Sequence, residues 1–130
     1  MFKKINHIGI AVKDMEEARQ FWNKTYGLET PPAMTEKDMQ VCMIKVGDVL
    51  IELLAPVGEG VMSKFIEKRG EGIHHICYEV ENIQASIKEL LAKGMDMIDK
   101  EPREGAEGKI AFLHPKATHG VLTEICQVRK

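Results

Sequence analysis

Ile5-Asn6-His7-Ile8-Gly9-Ile10-Ala11-Val12-Lys13-Asp14-Met15 returns further along the chain as Ile73-His74-His75-Ile76-Cys77-Tyr78-Glu79-Val80-Glu81-Asn82-Ile83. Both copies read apolar-x-His-Ile-x-x-x-Val-x-Asp/Asn-apolar, and a repeat of this kind fixes the architecture before any single element does. After each copy the apolar period becomes helical. In the first, Asp14 is a candidate N-cap with Glu17 at capping-box spacing. Met15, Ala18, Phe21 and Trp22 fall at helical intervals, and Gly27 supplies the stop. In the second, Asn82 is the candidate cap, Ile83, Ile87, Leu90 and Leu91 form the stripe, and Gly94 ends it. β-rich runs follow each helix. Val41 to Lys45, a Gly47-Asp48 turn and Val49 to Leu54 follow the first. Lys109 to Leu113, a connection from His114 to Gly120 and Val121 to Cys126 follow the second. Each half therefore reads strand, helix, then two or three strands. Between them, Val61, Met62, Phe65 and Ile66 predict a short linking helix closed by Gly70 and Gly72. The expectation is one α+β domain over 1–130. Its modules span about 1–56 and about 73–130, joined by a helix at about 59–70.

The composition agrees with one globular domain. The chain has 130 residues, 44% hydrophobic and 29% charged, the balance of a folded protein rather than a disordered one. Its 18 Lys and Arg against 20 Asp and Glu give a net charge of −2, which argues against nucleic acid as a partner. No apolar run approaches the roughly 20 residues of a membrane span. The start, Met1-Phe2-Lys3-Lys4-Ile5-Asn6-His7, has no continuous apolar core, so no signal peptide is expected. Three cysteines without a Cys-x-x-Cys pair read as reduced thiols of a cytoplasmic protein.

Alternation along the strands sorts the polar residues. His7 shares a face with Ile5, Gly9 and Ala11, while Ile8, Ile10 and Val12 face the helix residues Ala18, Phe21 and Trp22. His75 shares a face with Ile73, Cys77 and Glu79. In the strands that close each half, Glu52 lies between Leu50 and Leu54, and Glu124 between Leu122 and Cys126. Singly, each Glu fits the solvent face of an antiparallel sheet. Their recurrence with a His at corresponding repeat positions points instead to function, because a buried ionised carboxylate needs a partner or a metal. Two imidazoles and two carboxylates suit a divalent ion of intermediate softness: Co²⁺, Ni²⁺, Mn²⁺, Fe²⁺ or Zn²⁺. Gly9, Cys77 and Cys126 read as small walls of a pocket, and His74 as structural.

These segments resemble the vicinal oxygen chelate (glyoxalase/bleomycin resistance) superfamily, and within it the methylmalonyl-CoA epimerases. Ile5 to Val12 and Ile51-Glu52-Leu53-Leu54-Ala55-Pro56 carry the general likeness. Lys64 to Ile76, Ile110-Ala111-Phe112-Leu113-His114-Pro115-Lys116 and Gly120-Val121-Leu122-Thr123-Glu124 carry the specific one. The resemblance implies paired βαβββ modules whose strands form a cupped mixed sheet around a metal, with His7, Glu52, His75 and Glu124 as ligands. It implies inversion of the C2 stereocentre of methylmalonyl-CoA through an enolate, in a homodimer. Glu124 and, second to it, Glu52 are then the acid–base groups, one on each face of the reacting carbon. Arg103, Lys109 and Lys116 are the cations expected to meet the acyl-CoA. Three positions depart from the pattern. The Gly105-Ala106-Glu107-Gly108-Lys109 loop is shorter and carries an acid, Ala117 stands where Ser is usual, and Val41 stands where some relatives carry a carboxylate. Two alternatives within the superfamily are a glyoxalase I-type lyase and a ligand-sequestering module. Against the first, Ala11 replaces the Arg usual in bacterial members. Against the second, all four ligand positions are polar.

Overall fold

The computed structural model describes residues 1–129. They form two compact units. One is His7–His74; the other joins Met1–Asn6 to the chain from His75 onward. Twelve elements alternate in the predicted order. The first half contributes β1 (Phe2–Ala11), α1 (Met15–Tyr26), β2 (Met34–Glu36), β3 (Met39–Val46) and β4 (Val49–Pro56). Helix α2 (Val61–Arg69) follows. The second half contributes β5 (Gly72–Val80), α3 (Ile83–Ala92), β6 (Arg103–Glu104) and β7 (Gly108–Leu113). A short 3₁₀ turn (Pro115–Ala117) leads from β7 into β8 (Thr123–Val128). Both halves are thus βαβββ. The third strand of each set, left open by the sequence, is a short edge piece, β2 or β6.

In the His7–His74 unit the strand order is β2-β3-β4-β1. β4 is antiparallel to β3 and parallel to β1, with α1 and the β2–β3 hairpin forming the crossover. Helix α1 starts where Asp14 Oδ1 accepts the Glu17 N–H at 3.0 Å. It stops at Gly27, whose φ of 70° is the left-handed conformation that favours glycine. Its seam of Met15, Ala18 and Trp22 packs on Val12, Cys42, Ile44, Leu53 and Ala55. Phe21, expected on that seam, is 47% exposed. It sits six residues from Met15, well off the buried stripe, and lies edge-on to Tyr26. On the opposite side of β4, Met62, Phe65 and Ile66 of α2 pack on Ala11 and Leu54. Val61, at the first position of α2, is exposed rather than buried.

In the other unit the order is β5-β8-β7-β6, and the start of β1 lies along β5. There Phe2 stacks on Tyr78 at 4.4 Å and Lys3 Nζ lies 3.5 Å from Glu79. β5 and β8 are parallel; β7 is antiparallel to both β8 and β6. Asn82 Oδ1 caps α3 by accepting the Ala85 N–H. Ile83, Ile87 and Leu90 bury on Val80, Met97, Ala111, Leu113 and Ile125. Leu91, at the margin of that stripe, stays exposed. Gly108 opens β7 where a Cβ would stand 2.1 Å from the Gln127 carbonyl oxygen, so the loop closes onto β8 only with glycine there. No helix of the described residues is long and apolar enough to cross a membrane.

Candidate active site

Each unit builds the same pair by the same means. Parallel β1 and β4 place Gly9 opposite Glu52. His7 precedes Gly9 by two residues and therefore shares its face. Its Nε2 lies 3.5 Å from Glu52 Oε1. Parallel β5 and β8 place Cys77 opposite Glu124. His75 precedes Cys77 by two, and its Nε2 lies 3.0 Å from Glu124 Oε1. The side chains of His7, His75 and Glu124 are buried, and that of Glu52 is 14% exposed. Neither carboxylate lies on a solvent face, which removes the bland reading of a strand Glu. Burying a carboxylate in an apolar sheet is costly without a partner, and here each has an imidazole. A ring nitrogen and a carboxylate oxygen a few ångströms apart are donors of the kind that divalent first-row metals take. A carboxylate so placed is also a group able to exchange a proton with a bound acid.

The antiparallel neighbour of each Glu-bearing strand completes the parallel. Antiparallel β3 brings Met43 opposite Glu52, and antiparallel β7 brings Phe112 opposite Glu124. The Phe112 ring meets the His75 imidazole edge-on, 5.8 Å between centroids.

Known proteins share this chain's sequence and fold. Residues 6–112 match the glyoxalase/bleomycin resistance protein/dioxygenase superfamily. An ethylmalonyl-CoA/methylmalonyl-CoA epimerase of Cereibacter sphaeroides is 42% identical over 134 residues, covering 98% of this chain and 100% of that protein. The chain belongs to this superfamily, in its methylmalonyl-CoA epimerase family. The human mitochondrial methylmalonyl-CoA epimerase is 37% identical over 129 residues, which are 95% of this chain and 73% of that protein. A solved methylmalonyl-CoA epimerase in complex with methylmalonyl-CoA and NH4+ superposes with a TM-score of 0.91. It is 34% identical, and the match covers 98% of this chain and 96% of that one. The two βαβββ modules are the glyoxalase-like α+β fold of that family.

Residues around the pairs sort into wall, support and surface. Cys77 and Cys126 are buried free thiols. A hydrogen bond with Cys126, and then burial, push the Cys77 thiol far up, so it is a neutral wall beside Glu124. Ala11 is fully buried against Leu54 and Met62. His74 turns away from its neighbour and lies edge-on to Phe65 of α2 at 4.7 Å. His114 Nδ1 accepts the Lys116 N–H and caps the 3₁₀ turn, while His119 sits in the loop beyond with φ 57°.

The three expected cations have different surroundings. Arg103 reaches over the Phe112 ring, 5.7 Å from its centroid. It is tied there by Asp99, a residue the sequence reading passed over although Asp99 and Arg103 stand four apart. Lys109 lines a groove of about 470 Å³ with Lys3, Glu79, Glu81, Glu104 and Arg129 among its walls. The charges of that groove are largely spent on each other. Lys3 pairs with Glu79 and Glu81, and Arg129 with Glu104 at 3.0 Å. Lys116 is exposed on the 3₁₀ turn.

Proposed function

We propose that this chain is a divalent-metal-dependent methylmalonyl-CoA epimerase. The observation that carries the reading is the repeated construction: a His–Glu pair in each unit, set by the same register on corresponding pairs of parallel strands, β1/β4 and β5/β8. Its setting in a chain alike over its whole length to epimerases supports the substrate class.

His7, Glu52, His75 and Glu124 are the residues that would hold the ion, which would be one of Co²⁺, Ni²⁺, Mn²⁺, Fe²⁺ or Zn²⁺. The donor set fits such an ion: two imidazole nitrogens and two carboxylate oxygens, an intermediate set favouring neither the softest nor the hardest metals. When bound, the ion supplies Lewis-acid stabilisation of the charge that develops on the thioester oxygen, worth several kcal/mol. The protein supplies the protons. C2 of the substrate lies between a thioester and a carboxylate, and removing its proton leaves a planar enolate. Inversion needs a base on one face and an acid on the other. Glu124 and Glu52 take these roles, each worth about 10²–10⁴-fold. The two differ in a way that bears on their parts. Glu124 is 3.0 Å from its imidazole and the more buried, whereas Glu52 is 3.5 Å from its own and the more exposed. The two carboxylates therefore take their acid–base roles from unlike surroundings. Arg103, Lys109 and Lys116 meet the anionic coenzyme portion. The protein acts as a cytoplasmic homodimer.

The test is exchange of the C2 hydrogen of methylmalonyl-CoA with deuterated water, read by mass spectrometry with Co²⁺ and with EDTA. Metal-dependent exchange lost in Glu124→Ala and His75→Ala supports the reading. Absence of exchange in metal-loaded protein refutes the substrate assignment.

A further inference from the structure

Asp99 lies in the connection between α3 and β6, and it does two things at once. It closes the outer edge of β7 where the two-residue β6 ends. The Phe112 N–H donates to Asp99 Oδ2 at 2.9 Å, and the Phe112 carbonyl accepts from Ile98 N at 2.9 Å and Asp99 N at 3.2 Å. The same carboxylate grips Arg103. Arg103 Nε lies 2.9 Å from Oδ1, and Oδ2 accepts from Nη2 at 3.2 Å. Asp99 is mostly buried, at 13% exposure, while Arg103 is 54% exposed. The guanidinium is thus held at the surface over the Phe112 ring, the ring that touches His75 and stands opposite Glu124. Nη1 of Arg103 takes no protein partner among the described residues. A free arginine at a surface samples many rotamers; this one is held by a carboxylate and a ring while about half of its side chain stays exposed.

We propose that Asp99 is a positioning residue, and that the Arg103 guanidinium it holds receives a phosphate of the coenzyme A portion of the substrate. This rests on the acyl-CoA reading above. The placement selects the phosphate over the malonyl carboxylate. Arg103 is an exposed group and His75 a buried one, with Phe112 touching both, so an anion that reaches Arg103 belongs to the solvent-facing end of the ligand. Guanidinium–phosphate pairing is charge-assisted and bidentate, and lysine at this place does not reproduce it. Asp99 has two opposed effects on such a site. Its negative charge weakens the attraction, and its grip removes the disorder of the arginine. The proposal is that the grip dominates.

The experiment uses Arg103→Gln, Arg103→Lys and Asp99→Asn in the full metal-loaded protein. Asn keeps an acceptor for the Phe112 N–H, so the edge of β7 stays closed, and thermal melting checks it. Kinetics are measured with methylmalonyl-CoA and with methylmalonyl-pantetheine, which lacks the nucleotide phosphates. Calorimetry measures binding of free coenzyme A and of pantetheine. The expected result is a KM for the CoA substrate raised about tenfold in Arg103→Gln, with kcat within twofold and pantetheine kinetics unchanged. Arg103→Lys gives a partial loss. Asp99→Asn raises KM in the same direction by a smaller factor. A fall in KM for Asp99→Asn overturns the positioning role, because charge relief would then dominate. Equal losses with the pantetheine substrate overturn the phosphate assignment. Coenzyme A binding needs no turnover and separates this inference from the epimerase reading. If wild type exchanges no C2 hydrogen yet loses coenzyme A affinity on Arg103→Gln, the epimerase reading fails and the phosphate contact stands. If wild type epimerises and Arg103→Gln binds coenzyme A unchanged, the reverse holds.

Discussion

Replacing Glu124 by Gln separates metal ligation from folding. The side chain is buried and lies 3.0 Å from the His75 imidazole. Gln keeps its volume and an acceptor oxygen for the ring but removes the negative charge that a divalent ion needs. A ligand at a hundred times its Kd stabilises the native state by about 2.7 kcal/mol. For 130 residues, an unfolding entropy of about 2.1 cal/mol/K per residue makes that a rise in Tm of about 10 °C. If the variant binds roughly a hundredfold more weakly, the same metal concentration equals its Kd. The stabilisation then falls to about 0.4 kcal/mol, a shift of about 1.5 °C. The assay is scanning calorimetry of wild type and Glu124→Gln in EDTA and across a Co²⁺ series, repeated with Ni²⁺, Mn²⁺, Fe²⁺ and Zn²⁺. The metal-free variant is expected to melt within a few degrees of metal-free wild type, which shows that the sheet is intact. A variant that keeps the full shift would refute Glu124 as a ligand. A wild type that none of the five ions stabilises would refute the metal centre.

Three further outcomes follow from the packing. Ile125→Ala removes a fully buried side chain between α3 and β7 and is expected to cost about 2–5 kcal/mol, read by urea denaturation. Asp14→Ala removes the cap of α1 and is expected to cost about 1 kcal/mol in the same assay, with the metal-induced rise in Tm unchanged. Burial raises the Cys42 thiol above its ordinary value of 9.0, against a smaller lowering by Arg19. A raised folded pKa means the native state keeps a proton that the unfolded chain loses. Stability is therefore full below pH 9 and falls above it until the folded thiol titrates. Cys42→Ala is expected to flatten the decline of Tm between pH 9 and 10, relative to wild type; an identical slope in both refutes the assignment.

The legibility of this protein in its sequence follows from where its information is local. The strand–helix boundaries were readable because caps are short-range chemistry: Asp14 and Asn82 each accept the backbone N–H three residues on, as their spacing predicted. The His–Glu pairs were readable because they occur twice. One His and one Glu far apart in sequence say little, but the same two at matching places in a repeat imply a shared strand register, and the parallel ladders supply it. The failures have the same logic. Phe21, Leu91 and Val61 are apolar, but Phe21 lies off the buried stripe, Leu91 at its margin and Val61 at the first position of its helix, and composition cannot tell such residues from core ones. β6 is two residues long and held by the fold rather than by propensity, so no periodicity marks it.

Asp99 is the more instructive omission. The family resemblance singles out Arg103, a cation with an evident purpose, while the acid four residues earlier looks like an ordinary surface partner. Most surface pairs of that kind contribute little. What sets this one apart is invisible without the register of β7: one Asp99 oxygen binds both the arginine and the backbone N–H of Phe112, the residue opposite Glu124. A pair that also closes a sheet edge is held in one geometry, and the entropy that usually cancels a surface ion pair has already been spent in folding β7. The four-residue spacing is plain in the sequence, and the third partner that gives it meaning is Phe112, nine residues beyond Arg103 on β7.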